Sequence, residues 1–420
     1  PIKSSAASDV YKRQLHMRGN DFLEKMGLID PAYVEAADTA TNKKKNSWMQ
    51  WGAIAACFAV IVVAATMLFP HDEPELPSDL PMLSISENSS GGMGYEGYMA
   101  YDISELVNAN PWNEESEISA LPVYQNLLHY NEYHIASGSD FDKMREFILD
   151  VAGRLGLDPS NLTVTDNAPS EEEKQQITKE YEAGGSVVPD GYFDPTALII
   201  EADGIKIEVD QTMTATIHFD PVVSLPEEYN FTHYASYVDT AAVADYLKSE
   251  YRELIGMDNP QVNIHGGDYN IYSQQSFSIE FFDAADHDIE QIINYNFNRV
   301  AFYCDDNGKL FLARVFQPDL SKKMGDYPII SSGKAKELLL NGNYLSTVPY
   351  EFPGAEFIKK VELIYRTGGY EAYYMPYYRF YVELPEAEHE NGLKDYGAFY
   401  VPAVEGTYIS NMPTWDGSFN

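Results

Sequence analysis

Residues 48–69 constrain this chain more than any other stretch. The run carries no charged residue, and Gln50 is its one strongly polar side chain. About 20 apolar residues at 1.5 Å rise cross the hydrocarbon core of a bilayer, so the run predicts a single transmembrane helix. Lys43, Lys44 and Lys45 precede it, and Asp72, Glu73 and Glu75 follow it. Trp48 and Trp51 stand where indole rings favour the interface. The lysines place the N-terminus in the cytoplasm and the C-terminal ectodomain outside, a single-pass arrangement at the cell membrane. A cleaved signal is the first alternative, but more than forty residues precede the run. A lipobox at Ile54-Ala55-Ala56-Cys57 is the second, but twelve mostly apolar residues follow Cys57.

The charge is divided by this span. Of the formal net −37, residues 1–48 contribute eight Lys/Arg against six Asp/Glu, and the remainder carries 20 basic and 59 acidic residues. So acidic a chain does not suit nucleic acid, which requires a basic face. Hydrophobic residues at 45% and aromatics at 13% suffice for packed cores, so the acidity does not imply disorder. Cys304 is the one cysteine beyond the span, which leaves no intramolecular disulfide in the ectodomain and no Cys-based zinc site.

Residues 1–16 fit nothing that follows and read as a non-native leader, with Met17 as the expected start. Residues 17–47 form a cytoplasmic juxtamembrane segment. Phe22, Leu23, Met26 and Leu28 line one side of a short helix there, a partner-binding candidate. A Pro- and Ser/Gly-rich stretch, 70–119, reads as an extracytoplasmic linker. Beyond it the expected fold class is α+β. Tandem modules of one helix and an antiparallel sheet (α-β-β-β) are expected over 120–225, 226–325 and 326–420.

In the first module Asp140 opens an apolar-periodic helix ending near Gly156, followed by strands at 162–164, 197–201, 205–209 and 212–219. Asp239 caps the corresponding helix of the second, which stops at Gly256. RLGLDPSNLTV (154–164) aligns without a gap on LIGMDNPQVNI (254–264), the mark of one device used twice. Asp305-Asp306-Asn307-Gly308 predicts a hairpin between strands 299–303 and 309–316. In the third module Ser331-Ser332 cap a helix, and strands follow at 358–366, 377–384 and 398–401.

That last order, carried by KVELIYRTG, PYYRFYVEL and YGAFYVPAV, resembles PepSY-like modules and the ectodomains of accessory proteins that restrain two-component sensors. The N-terminal layout is similar to Gram-positive membrane anti-sigma factors, although their His/Cys zinc motif is absent. These resemblances imply a regulatory or sensor protein: the ectodomain binds, and the cytoplasmic segment holds a sigma factor or sensor kinase. The rival expectation is a surface binding or scaffold protein without signalling.

Candidate chemistry is sparse. Ser331-Ser332-Gly333-Lys334 matches S-x-x-K, but Arg366-Thr367-Gly368 follows too soon for a penicillin-recognising fold, and helix capping accounts for the serines. No nucleophile–base constellation appears, so the chain is read as a non-enzyme without a cofactor. Asp283, Asp286, Asp288 and Glu290 are a weak calcium candidate, set against the simpler reading of acids at a helix N-terminus. His265-Gly266-Gly267-Asp268 reads as a polar hairpin turn. Alternation places Tyr377, Arg379 and Tyr381 on one strand face and Tyr378, Phe380 and Val382 on the other. If exposed, the first set is a patch for an extracellular peptide or glycan; if covered, both faces are core.

Overall fold

The computed structural model describes residues 80–86, 94–389 and 391–419. The expected cytoplasmic residues Phe22, Leu23, Met26 and Leu28 lie outside them, as do the expected anchor residues Lys43, Lys44, Lys45, Trp48 and Trp51. Among the described residues no helix is long and apolar enough to cross a membrane. The folded unit runs from Pro77 to Asn420. It is mixed α/β, with six α-helices among the described residues and antiparallel pairing between all its strands.

The described parts of the stretch expected to be a linker, 80–86 and 94–119, belong to this unit. Leu83 and Ile85 are buried beside Tyr408 and Ile409, and Leu83 N donates to the Tyr408 carbonyl. Strand β1 (Gly97–Ala100) adds an edge to a sheet built from the far end of the chain. Trp112 is also buried. The prolines and glycines signalled flexibility, but three or four large apolar anchors at roughly 1.5–3 kcal/mol each hold such a segment down. Strand β2 (Ala120–Gln125) follows, then the short hairpin of β3 (His129–Tyr130) and β4 (Ala136–Ser137).

Helix α1 (Phe141–Arg154) is capped by Asp140, whose carboxylate accepts from the Asp142 and Lys143 amides. It buries Met144, Phe147, Ile148 and Val151, the stripe its periodicity requires. After β5 (Thr165–Asp166) comes α2 (Glu171–Ala183), which buries no residue and is closed by a Ser170–Glu173 capping box. A meander of β6 (Ala197–Ala202), β7 (Ile205–Asp210) and β8 (Thr214–Val223) completes the first half. The second half repeats it. Helices α3 (Tyr237–Glu250) and α4 (Arg252–Ile255) lead to β9 (Pro260–Tyr269) and β10 (Gln275–Asp283). Helix α5 (Asp288–Phe297) then leads to β11 (Arg299–Cys304) and β12 (Leu310–Phe316). Ser236, not Asp239, accepts the capping hydrogen bond of α3.

The expected boundary between the first two modules therefore runs through one sheet. Its eight strands lie in the order β5-β6-β7-β8-β12-β11-β10-β9, a palindrome in which β8 and β12 meet at the centre through Ile217↔Ala313. α1, α3 and α4 all pack on the same face, in one core. Both leading helices end at a left-handed glycine, Gly156 at φ +81° and Gly256 at φ +61°, where a side chain would be strained. The aligned segments are the same corner of each half.

Strand β13 (Lys323–Pro328) pairs with β2, so the outer modules interlock as well. Helix α6 (Ser332–Leu340), capped by Ser331 Oγ, precedes β14 (Leu345–Ser346). The third antiparallel set is β15 (Ile358–Tyr365), β17 (Pro376–Glu388) and β18 (Lys394–Pro402), with β16 (Tyr373–Tyr374) joining β2. The helix-then-three-strands order expected over 326–420 is present, inside a sheet ordered β1-β18-β17-β15.

Candidate functional site

The strand alternation expected at 377–382 is correct, but neither face is open. Tyr378, Phe380 and Val382 pack in one core with α5 and α6. Tyr377 is fully buried and Tyr381 nearly so. Residues 83–85, Tyr408 and Ile409 cover Tyr377, and Tyr98 of β1 covers Tyr381, ring to ring at 5.8 Å. Tyr377, Arg379 and Tyr381 are thus core residues, not a partner-binding patch. The supposed linker is what hides them.

Arg379 completes a buried ion cluster. Its Nε donates to Glu362 Oε2 at 3.1 Å, and its Nη1 lies 3.6 Å from Glu96. Glu362, only 2% exposed, also takes Lys360 Nζ at 2.7 Å and Asn108 Nδ2 at 2.6 Å. Tyr400 Oη donates to Glu96. Burial alone pushes the Glu362 carboxyl up, but Arg379 and Lys360 outweigh it and hold the group down at about 2. A second buried pair, Arg366 Nη2 to Glu371 at 2.9 Å, lies close by, its guanidinium between the rings of Tyr377 and Tyr400.

The calcium candidates do not converge. Asp283 Oδ1 accepts from the Asn259 amide at 2.7 Å, while Asp286, Asp288 and Glu290 are exposed at the start of α5. Among the described residues no group of three His, Cys, Asp or Glu could hold a metal ion. These acids face the positive end of the helix. The expected turn at His265–Asp268 is strand instead. Gly266 and Gly267 lie within β9, and a Cβ on Gly267 would sit 1.9 Å from the Glu105 carbonyl. The strand needs glycine so that the 105–107 segment can lie against it, where Val107 bridges Gly266. The turn falls later, at 270–274.

The open chemistry is on the other side of the eight-stranded sheet. Helices α1, α3 and α4 take one face, so alternate residues of each strand project from the opposite one, which α5 covers in part where Tyr295 packs on Phe282. Register aligns Glu208, Thr216, Arg314, Ala301, Glu280 and Asn263 in one row. The next row runs Lys206, His218, Leu312 and Tyr303, and Ser278 pairs with His265. A hollow of about 190 Å³ opens over the first row, lined by Glu280 and Arg314 of that row, Tyr303 of the second, and Thr214, Phe316 and Arg299, which are paired in a row on its other side. Arg299 lies over the Phe316 ring at 4.9 Å and Arg314 over the Tyr303 ring at 5.5 Å. Such stacking fixes each guanidinium and leaves its edge for a planar acceptor.

The two arginines differ in charge balance. Arg299 Nη1 is 3.4 Å from Glu280, which Asn263 also contacts, at 3.2 Å, with His265 at 3.7 Å. Burial pushes Glu280 up, but Arg299 and His265 hold it down at about 2. Its negative charge is therefore balanced in place. Exposed Arg314 makes no ion pair among the described residues. Burial and then Lys206 lower the pKa of His218, so a neutral imidazole stands near Arg314 at pH 7. Of these residues the sequence singles out His265 alone, and as part of a turn. The one visible sign is Arg314 within the apolar strand LFLARVF; the facing Tyr303 and Glu280 become its neighbours only through register.

No family model matches the chain, and no curated protein matches it. A solved structure similar to it is that of an uncharacterized protein from Eubacterium rectale ATCC 33656. The two are 11% identical, the match covers 71% of this chain and 86% of that one, and the TM-score is 0.30.

Proposed function

We propose that the folded unit is the binding part of a membrane-tethered regulatory or sensor protein, and that the open face of its eight-stranded sheet takes an anionic ligand. The observation that carries this reading is Arg314, a guanidinium with no carboxylate partner among the described residues, held on Tyr303 beside a hollow, in a chain whose net charge is −37. A polar, half-exposed sheet face with a fixed cation is an expensive way to cover a core and a direct way to recognise a carboxylate. Ligand sites that enclose a whole small molecule run to roughly 300–1,000 Å³. A hollow of about 190 Å³ accommodates one unit of a longer chain, such as a uronic acid in a glycan or an acidic side chain in a peptide. On this reading residues 48–69 hold the unit at the membrane and residues 17–47 hold a cytoplasmic sigma factor or sensor kinase, whose access changes on ligand binding.

Titration of the full chain with oligogalacturonate and with a Glu-containing peptide tests the site. At least one should bind, more weakly as salt rises, and Arg314→Gln should weaken it about tenfold or more without changing the unfolding midpoint. Binding of neither probe, or equal binding by the variant, would remove the assignment. Capture on a peptide of residues 17–42 tests the cytoplasmic half, with retention of a sigma factor or kinase as the expected result.

A further inference from the structure

A second surface lies at the far end of β10, about five residues or roughly 16 Å from Glu280. The 270–274 turn between β9 and β10 carries Ile271 and Tyr272 at 82% and 76% exposure. Tyr234, Tyr237 and Val238, also exposed, stand beside it at the start of α3. Asn270 Nδ2 donates to Tyr234 Oη at 3.3 Å, and Tyr237 packs edge-on against Phe277 at 5.5 Å. On the other flank Tyr101 packs edge-on against Tyr269 at 5.4 Å. Single exposed apolar residues are ordinary, but clustered ones mark an interaction surface.

The turn is built to hold its shape. Asn270 Oδ1 accepts from the Tyr272 and Gln274 amides at 2.9 and 3.0 Å, an Asx arrangement that fixes the tip before anything binds. The surroundings are acidic. Tyr269 Oη donates to Glu105 at 3.2 Å, and Asp239 lies on the first turn of α3 with Asn230 and Ser236 on its carboxylate. The stretches that build the surface, 94–110, 226–247 and 265–277, contain no lysine or arginine.

We propose that this rim docks a cationic amphipathic peptide. Its apolar side chains would lie on Ile271, Tyr272 and Val238, and its ammonium or guanidinium groups over the tyrosine faces and toward Asp239 and Glu105. The complementarity is twofold: tyrosine rings attract cations, and Asp239 lies in a stretch without lysine or arginine and leaves a negative field to be neutralised, while Lys360, on the Leu106 carbonyl at 3.4 Å, tempers the field at Glu105. The same absence of lysine and arginine opposes adhesion to an anionic bilayer, which relies on them.

The test uses the full chain in neutral detergent with a photoactivatable Lys/Leu amphipathic peptide, the sites of cross-linking being mapped by mass spectrometry. Cross-links should fall in 234–238 and 269–273 and fade as salt rises. They should drop about tenfold or more in the double variant Ile271→Ser/Tyr272→Ser, whose unfolding midpoint stays unchanged. Arg314→Gln should leave them intact, which separates this surface from the sheet face. Cross-links elsewhere, equal labelling by a Glu/Leu peptide, or undiminished labelling of the double variant would overturn the proposal. Stronger labelling of the same residues by a photoactivatable phosphatidylcholine would also overturn it, in favour of a bilayer.

Discussion

Arg379→Met would remove the cation that keeps Glu362 ionised in the core. With Arg379 in place, Glu362 titrates at about 2 rather than its ordinary 4.5, which corresponds to about 3 kcal/mol of native-state stability at neutral pH. The sign follows from proton counting. Between those two pH values the unfolded chain binds a proton that the folded chain does not. The contribution is therefore complete above pH 4.5 and is lost as pH falls toward 2. Without Arg379 the carboxylate, 2% exposed, retains Lys360 at 2.7 Å and Asn108 at 2.6 Å. Breaking a buried pair by removing one partner costs about 3–5 kcal/mol, and the surviving contacts place this case near the lower end. Urea unfolding of the full chain, followed by intrinsic fluorescence at pH 7 and along a series down to pH 2.5, reads both effects. The single variant should be about 3 kcal/mol less stable at pH 7, with a flatter acid limb. Arg379→Met combined with Glu362→Met should recover most of the loss, since the charge left behind is the source of the damage. A double variant as unstable as the single one, or a single variant with the wild-type acid limb, would refute the assignment of Glu362's depressed pKa to Arg379.

Other consequences follow from single positions. Cys304 is buried and its thiol is pushed up to about 11 by that burial, so alkylation by iodoacetamide at pH 8 should be far slower in the native chain than in urea. Equal rates would place the thiol outside the core. Gly267→Ala meets the Glu105 carbonyl at 1.9 Å with φ at +96° and should cost about 3 kcal/mol by urea unfolding; a neutral effect would show that the 105–107 segment moves freely away from β9. Leu83→Ala should cost about 2–5 kcal/mol and should expose the stretch near residue 100 to protease. A linker would show neither change.

What the sequence disclosed was local. Asp140 with its apolar stripe, Ser331, and the Asn307-Gly308 hairpin each announce themselves within a few residues, because capping and turn chemistry act at that range. What stayed hidden depends on pairing at a distance. Nothing in 94–107 says that it lies beside β9 and β18, so its composition reads as a tether and the tyrosines of β17 read as open. The glycines at 266 and 267 look like a turn because glycine suits a turn and a close backbone approach equally well, and only the neighbouring chain decides between them. Arg314, Tyr303 and Glu280 are scattered over 35 residues of sequence and meet through the register of three strands.

The palindromic sheet explains where the open chemistry came to lie. Each half supplies a helix, a glycine stop and four strands, and both helices are committed to the same face. The opposite face is then left to both halves; α5 and residue 109 cover its β9–β10 end, where Phe282 meets Tyr295 and Asn263 accepts from the Ala109 amide, and the middle of the face is what stays open. In the first half that face holds a self-neutralised pair, Lys206 and Glu208 at 3.2 Å. In the second half the strands that correspond to β7 and β8 in the palindrome, β11 and β12, carry Arg299, Tyr303, Arg314 and Phe316. Two guanidiniums there rest on aromatic rings, and only one of them is answered by a carboxylate. A duplicated scaffold that needed only to be covered by water would not have to diverge in this way. The divergence falls on the part of that face left uncovered, which is why Arg314, a charge without an ion pair among the described residues, rather than any single motif, is the feature on which the binding assignment stands.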